Sequence, residues 1–167
     1  MGSPAGAVAF LETLVVQWNE DSGDGQLFDT TALQGLKDIT AEHGRVTCRL
    51  PVRTRVQNRY GTLHGGCIAT LVDTVGTAAL LTLNGRSGVS LAINVDYLRG
   101  MPGGSDVVVD AKVVKVGKTI ATINVELRDQ DSGKLCAQGT HVKFMSEDEP
   151  DIGEQLGNIK EQPRSKL

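Results

Sequence analysis

The chain has 167 residues, with 17 Lys and Arg against 20 Asp and Glu and a net charge of −3, a length that fits one compact domain with a tail rather than two full domains. Hydrophobic residues make up 40 % and charged residues 22 %, enough to bury a core and too apolar for a chain disordered throughout. With one Trp, two Tyr and three Phe, it offers neither the concentrated basic field nor the stacking surfaces that nucleic-acid binding uses, so nucleic acid is not an expected partner.

Phe10, Leu11, Leu14, Val15 and Trp18 recur at helical spacing and predict a short amphipathic helix, which the turn-forming run 19–25 ends. The apolar stretch 5–18 contains Glu12 and Gln17 and lacks a basic leader, so neither a signal peptide nor a membrane span is expected there. Gly6 stands where a myristoylation motif needs Ser or Thr, and the chain reads as soluble and unlipidated. From residue 44 onward Val46, Cys48, Leu50 and Val52 alternate with Arg45, Thr47, Arg49 and Pro51, the period of a half-buried strand, which the run 57–61 breaks.

Residues 65–83 hold no proline and form the longest predicted helix, opened by Gly65-Gly66 and ended before Asn84-Gly85. Strands follow at 90–97, 107–116, 119–127 and 135–144, with turns at Gly117-Lys118 and 129–133. One buried helix followed by an antiparallel meander is an α+β arrangement, the helix lying on one face of the sheet, in a single domain over residues 1–145. Residues 146–167 turn acidic and poor in apolar side chains, which predicts a mobile tail. That tail ends in Ser165-Lys166-Leu167, the peroxisomal address that an import receptor reads at a free, exposed C-terminus. The alternative is chance occurrence, so peroxisomal localisation is an expectation resting on the tripeptide.

Cys48, Cys67 and Cys136 lie far apart, with no Cys-x-x-Cys pair and no histidine at ligand spacing. Structural zinc and a disulfide framework are disfavoured, and the scattered thiols suit a reducing intracellular compartment.

On a helical wheel Cys67, Ile68, Leu71, Val72, Val75, Ala78 and Ala79 form one broad face that should sit on the sheet. The opposite face carries Gly66, Ala69, Thr70, Asp73, Gly76, Thr77 and Leu80. Small residues there permit close approach of another backbone or leave room for a ligand. A lone mid-helix aspartate is ordinarily solvated or paired with an arginine. Yet Ala69, Thr70, Gly76 and Thr77, the neighbours three and four residues away, offer Asp73 no opposite charge. A carboxylate drawn partly out of water has a raised pKa and becomes a usable general base. Just upstream, glycines at a helix start leave backbone N–H groups unshielded where the helix dipole is positive, which suits an oxyanion. His64 by itself would be a structural histidine, and a Gly-Gly start serves tight turns as readily. The combination of amide donors with a carboxylate two turns along the same helix is what hydrolysis of an activated carbonyl requires.

At these residues the chain resembles a known family. The run Asn58-Arg59-Tyr60-Gly61-Thr62-Leu63-His64-Gly65-Gly66, followed by Ala69-Thr70-Leu71-Val72-Asp73, is similar to the hotdog-fold acyl-CoA thioesterases of the thioesterase-superfamily-member-2 (acyl-CoA thioesterase 13) and phenylacetate-pathway type. Gly88-Val89-Ser90, Asn94, Tyr97, the run from Lys115 through Thr119, Gly133-Lys134-Leu135 and Ala137-Gln138-Gly139 extend the resemblance over about residues 8 to 145. It implies a curved antiparallel sheet wrapped around the long helix, subunits paired edge to edge as a homodimer, and a homotetramer of such dimers. It also implies that the small-residue face looks into a cleft at the subunit boundary. Gly65 N–H and Asn58 would polarise the thioester carbonyl there. Asp73 from the partner subunit, helped by Ser90, would activate or orient water, and His64 would buttress the helix start. Coenzyme A would lie near residues 97–99 and 115–119, so Tyr97, Arg99, Lys115, Gly117, Lys118 and Thr119 are its candidate contacts; the two lysines have the alternative of being ordinary exposed turn residues.

The residue set agrees with that chemistry. A thiol with a pKa near about 8.5 leaves readily, so one base and one oxyanion site suffice without a strong general acid. No metal or redox cofactor is expected, coenzyme A being part of the substrate. Ser90 has no adjacent histidine in sequence and no Gly-x-Ser-x-Gly elbow, which argues against an acyl-enzyme, and Cys67 falls on the sheet-facing side as a buried, inert thiol. Whether Asp73 acts as base or attacks directly stays open, as does the acyl group: aliphatic, phenylacetyl-type or naphthoyl-type. The rival readings are a hotdog enoyl-CoA hydratase, usually marked by a closely spaced Asp and His pair, and a non-catalytic acyl-CoA-binding module.

Overall fold

A computed structural model describes residues 2–20, 28–146 and 148. Helix α1 (Pro4–Glu20) and the short α2 (Phe28–Ala32) precede the hairpin of β1 (Lys37–Glu42) and β2 (Arg45–Pro51). A 3-10 turn at Thr54–Val56 leads to the long helix α3 (Gly65–Asn84) and then to β3 (Val89–Tyr97), β4 (Asp106–Val116), β5 (Ile120–Asp129) and β6 (Leu135–Phe144). The strands form one antiparallel sheet in the order β1-β2-β4-β5-β6-β3, and α3 touches every one of them. This is the α+β arrangement expected of the hotdog fold.

Helix α3 runs where its sequence demands. His64 caps its start, Gly85 ends it in the left-handed region at φ 71°, and Leu71, Val72, Val75, Ala78 and Ala79 are wholly buried. It is apolar and long enough to cross a membrane, and its burial under the sheet accounts for that apolarity. The face expected to be open is largely buried too. Thr70, Gly76, Thr77 and Leu80 are covered, because the sheet curls round the helix. Close approach is the use made of the small residues: a Cβ at Gly76 would lie 3.2 Å from His141 Nδ1 and 3.5 Å from Val125 Cγ2. The buried threonines satisfy their hydroxyls on the helix itself, Thr70 donating to Gly66 O (2.9 Å), Thr74 to Thr70 O (2.7 Å) and Thr77 to Asp73 O (2.8 Å). Helix α1 lays Ala7 and Leu11, both fully buried, against α3. The turn-forming run expected to end α1 lies, from residue 21, outside the described residues, as does the tail with Ser165, Lys166 and Leu167.

The strands after α3 do not form one meander. Only β4, β5 and β6 do, while β3 pairs with β6, from Val89↔Phe144 to Tyr97↔Ala137, and forms a sheet edge. The 98–105 connection causes this by crossing back over the end of the sheet. Leu98 and Arg99 N–H donate to Cys136 O (both 2.9 Å), Leu63 N–H to Met101 O (2.8 Å) and Val52 N–H to Ser105 O (2.8 Å). The same bonds brace the loop before α3. Two elements were not expected from the sequence. Strand β1 buries nothing fully and leaves Ile39 and Ala41 half-buried, and α2, at 5 residues, is too short to show a helical period.

Candidate active site

The loop before α3 closes as a tight turn, with Asn58 N–H donating to Thr62 O (2.8 Å) and Gly61 at φ 74°. Asn58 knits this turn: its Oδ1 accepts from Tyr60 N–H (2.9 Å) and Thr62 N–H (3.2 Å), and its Nδ2 donates to Thr62 Oγ1 (2.9 Å). One amide hydrogen remains for an outside acceptor. His64 Nδ1 accepts from Gly66 N–H at 2.9 Å. Gly65, the first helical residue, has an N–H with no intrahelical carbonyl to bind. Tyr97, at the end of β3, donates its hydroxyl to Gly65 O (3.2 Å) and lays its ring 3.4 Å from where a Gly65 Cβ would stand.

Asp73 sits two turns further along α3, its side chain 43 % exposed. The sheet supplies the partners that its own helix lacks. Ser90 Oγ on β3 donates to Asp73 Oδ1 (3.1 Å), and His141 Nε2 on β6 lies 2.9 Å from Ser90 Oγ and 3.4 Å from Asp73 Oδ1. Lys143 Nζ, two residues beyond His141, stands 4.0 Å from Asp73 Oδ1 and donates to Thr77 Oγ1 (2.7 Å). His141 is wholly buried; burial, then the Lys143 ammonium, push its pKa down to about 4 against the pull of Asp73, so the ring is neutral. With Ser90 donating to Asp73, Nε2–H donates to Ser90. Nδ1 has no hydrogen-bond partner among the described residues. On α2, burial and then the charge of Asp73 raise the pKa of Asp29.

Ser90 therefore does have a histidine beside it, supplied in space by β6. The arrangement is still no Ser-His-Asp triad, because Asp73 binds the serine and no carboxylate meets Nδ1. Sequence reasoning missed His141, Lys143 and Asp29. The signal was present in β6, where Ala137, Gly139, His141 and Lys143 share the buried phase, so two ionisable residues occupy core positions.

Other expected residues do not converge within one chain. Tyr97 and Arg99 lie at one end of β3, while the hairpin carrying Lys115, Gly117, Lys118 and Thr119 borders the other, where Val89, Phe144 and Ile120 are in register. The two ends are roughly 26 Å apart at the rise of a strand. Cys67 is buried with its Sγ on Ala32 O (3.2 Å), and burial pushes its thiol up to about 12, which makes it inert at neutral pH. Beside the helix start a pocket of about 160 Å³ opens among Phe28, Thr31, Ala32, Val56, His64 and Cys67.

A long buried helix crossed by this sheet, with a capped glycine start and a carboxylate on its open flank, defines a hotdog protein built for work on a carbonyl. Comparison with known proteins narrows the class. Residues 60–136 match the thioesterase superfamily. Human acyl-coenzyme A thioesterase 13 is 44 % identical over 108 residues, covering 64 % of this chain and 77 % of that protein. The structure of mouse thioesterase superfamily member 2 superposes with a TM-score of 0.72 at 33 % identity, covering 84 % and 97 % of the two chains. A hypothetical thioesterase protein from Streptococcus pneumoniae, solved with coenzyme A, gives a TM-score of 0.62 at 25 % identity, covering 66 % and 87 %. The chain belongs to the thioesterase superfamily.

Proposed function

We propose that the chain is an acyl-CoA thioesterase that hydrolyses a fatty-acyl or aryl-CoA thioester to the free acid and coenzyme A. The observation that carries this reading is the hydrogen bond from Ser90 to Asp73, a carboxylate on the helix that presents Gly65 N–H, with buried Lys143 and neutral His141 of β6 beside it. Gly65 N–H and the remaining Asn58 amide hydrogen polarise the thioester carbonyl, and His64 keeps the helix start open by engaging Gly66 instead. Asp73, steadied by Ser90, takes a proton from water as it attacks the carbonyl carbon. The tetrahedral oxyanion then collapses, and the sulfur leaves as a thiolate without needing a strong acid.

Gly65 and Asp73 are about 12 Å apart along the helix axis, too far for both to serve one carbonyl and its attacking water. Two copies paired along β3 bring the amide of one chain to the carboxylate of the other. Val89, Leu91 and Tyr97 are exposed on that strand, the profile of an edge that is covered in an assembly. The same pairing gives one coenzyme A access to Tyr97 of one chain and the 115–119 hairpin of another. A pocket of about 160 Å³ is below the range of a complete ligand site and suits an acyl group whose cavity a second subunit completes. The tail tripeptide Ser165-Lys166-Leu167 directs the enzyme to peroxisomes.

The test is Asp73→Asn with released thiol as readout against straight-chain, phenylacetyl-type and naphthoyl-type thioesters. The variant should lose about a hundredfold or more in kcat while still binding substrate. Equal slow release by both proteins would move the chain to an acyl-CoA-binding module, and hydration of an enoyl thioester without thiol release would move it to the hydratases.

A further inference from the structure

Lys143 is 4 % exposed, and its stem lies against Gly88, whose missing side chain leaves room for Lys143 Cβ and Cε, each 3.4 Å from where a Cβ would stand. An ammonium out of water is costly unless charge and hydrogen bonds compensate it. Thr77 supplies a neutral anchor at 2.7 Å and in turn donates its hydroxyl to Asp73 O at 2.8 Å. At 4.0 Å from Asp73 Oδ1, Lys143 acts by charge and not through a hydrogen bond. The groups beside Asp73 are Ser90 from β3 and His141 and Lys143 from β6, and the charge of Asp73 helps to raise the pKa of Asp29 on α2. With His141 neutral, Lys143 is the positive charge beside Asp73.

We propose that Lys143 is a positioning residue of the hydrolytic site: anchored on Thr77, its buried ammonium holds the Asp73 carboxylate beside Ser90. Because the anchor is a threonine, both Asp73 oxygens stay free of lysine hydrogen bonds, one for Ser90 and the other for water. The role rests on the thioesterase reading and deepens it.

Thiol release by the wild-type chain is measured first; if no acyl-CoA is cleaved, the thioesterase reading itself fails. With an active wild type, Lys143→Met should lower kcat about tenfold to a hundredfold with KM within about twofold, and Lys143→Arg should recover part of the loss. In the folded Lys143→Met protein the imidazole of His141, followed by proton–nitrogen NMR, should titrate at higher pH than the value of about 4 that burial and this ammonium impose. That shift reports that the ammonium's charge reaches the site, whereas a lysine that only packs would leave kcat of the Lys143→Met protein within about twofold of wild type. Wild-type kcat with an unmoved His141 titration overturns the proposal, as does an arginine variant no better than methionine. Should Lys143→Met fail to fold, the nitrogen resonance of Lys143 is compared between wild type and Asp73→Asn. A shift supports the charge coupling, and an unchanged resonance overturns it.

Discussion

Gly139 on β6 passes under Val72 so closely that a methyl group there would lie 2.7 Å from both Val72 Cγ1 and Cγ2, and 3.2 Å from Asn94 O. Carbon atoms rest about 3.5 to 4.0 Å apart, so Gly139→Ala must part α3 from β6 by about 1 Å or force Val72 off its rotamer. Overpacking of this size costs about 1 to 3 kcal/mol, which lowers the melting temperature of a domain this large by about 3 to 10 °C. Asp73 follows Val72 on α3, while Ser90 and His141 stand on the facing strands. The displacement that relieves the clash therefore stretches the 3.1 Å Ser90–Asp73 bond and lowers kcat as well. Val72→Ala removes both clashing methyls; alone it opens a cavity and costs about 1 to 3 kcal/mol. Combined with Gly139→Ala it should recover about 1 kcal/mol or more of the summed loss, with Asn94 O keeping the rescue partial. Thermal unfolding followed by circular dichroism on the two single variants and the double variant measures the coupling. Costs that add within about 0.5 kcal/mol would refute the packing account.

Three further outcomes are expected. Ser90→Ala removes the hydroxyl that binds Asp73 and leaves His141 Nε2 only its longer 3.4 Å approach to Asp73 Oδ1, so kcat should fall about tenfold to a hundredfold with KM little changed; an unaffected kcat would take Ser90 out of the site. His141 is neutral when folded, with its pKa near about 4, whereas the unfolded chain protonates it below about 6.5. Stability should thus fall as pH drops from 6.5 toward 4, approaching a loss of about 3 kcal/mol, and denaturant midpoints of His141→Gln should show a shallower decline; identical slopes would contradict the assignment. Removing residues 165–167 from a tagged chain in cells should abolish peroxisomal import, and persistent import would refute the address.

The apolar phase of 65–83 was enough to place a buried helix, and its glycine start and lone Asp73 stood out as candidate site residues. These are local signals: a period of 3.6, a cap, a charge out of pattern. Strand β1 and helix α2 left no such signal, because one buries little and the other is too short to repeat. Cys67 was legible as inert because its helical phase alone places it inside.

The sequence by itself determined the two longer helices and the strands β2 to β6, since side-chain periodicity is a property of neighbours along the chain. It also determined the amide donors and carboxylate of α3, which share one helix. Only the tertiary structure decided that β3 joins β6, because pairing between strands distant in sequence depends on the route of the 98–105 connection. It likewise decided that Asp73 meets Ser90, His141 and Lys143: these residues come from three elements, and charge and hydrogen bonding act over a few ångströms of space, whatever the separation along the chain.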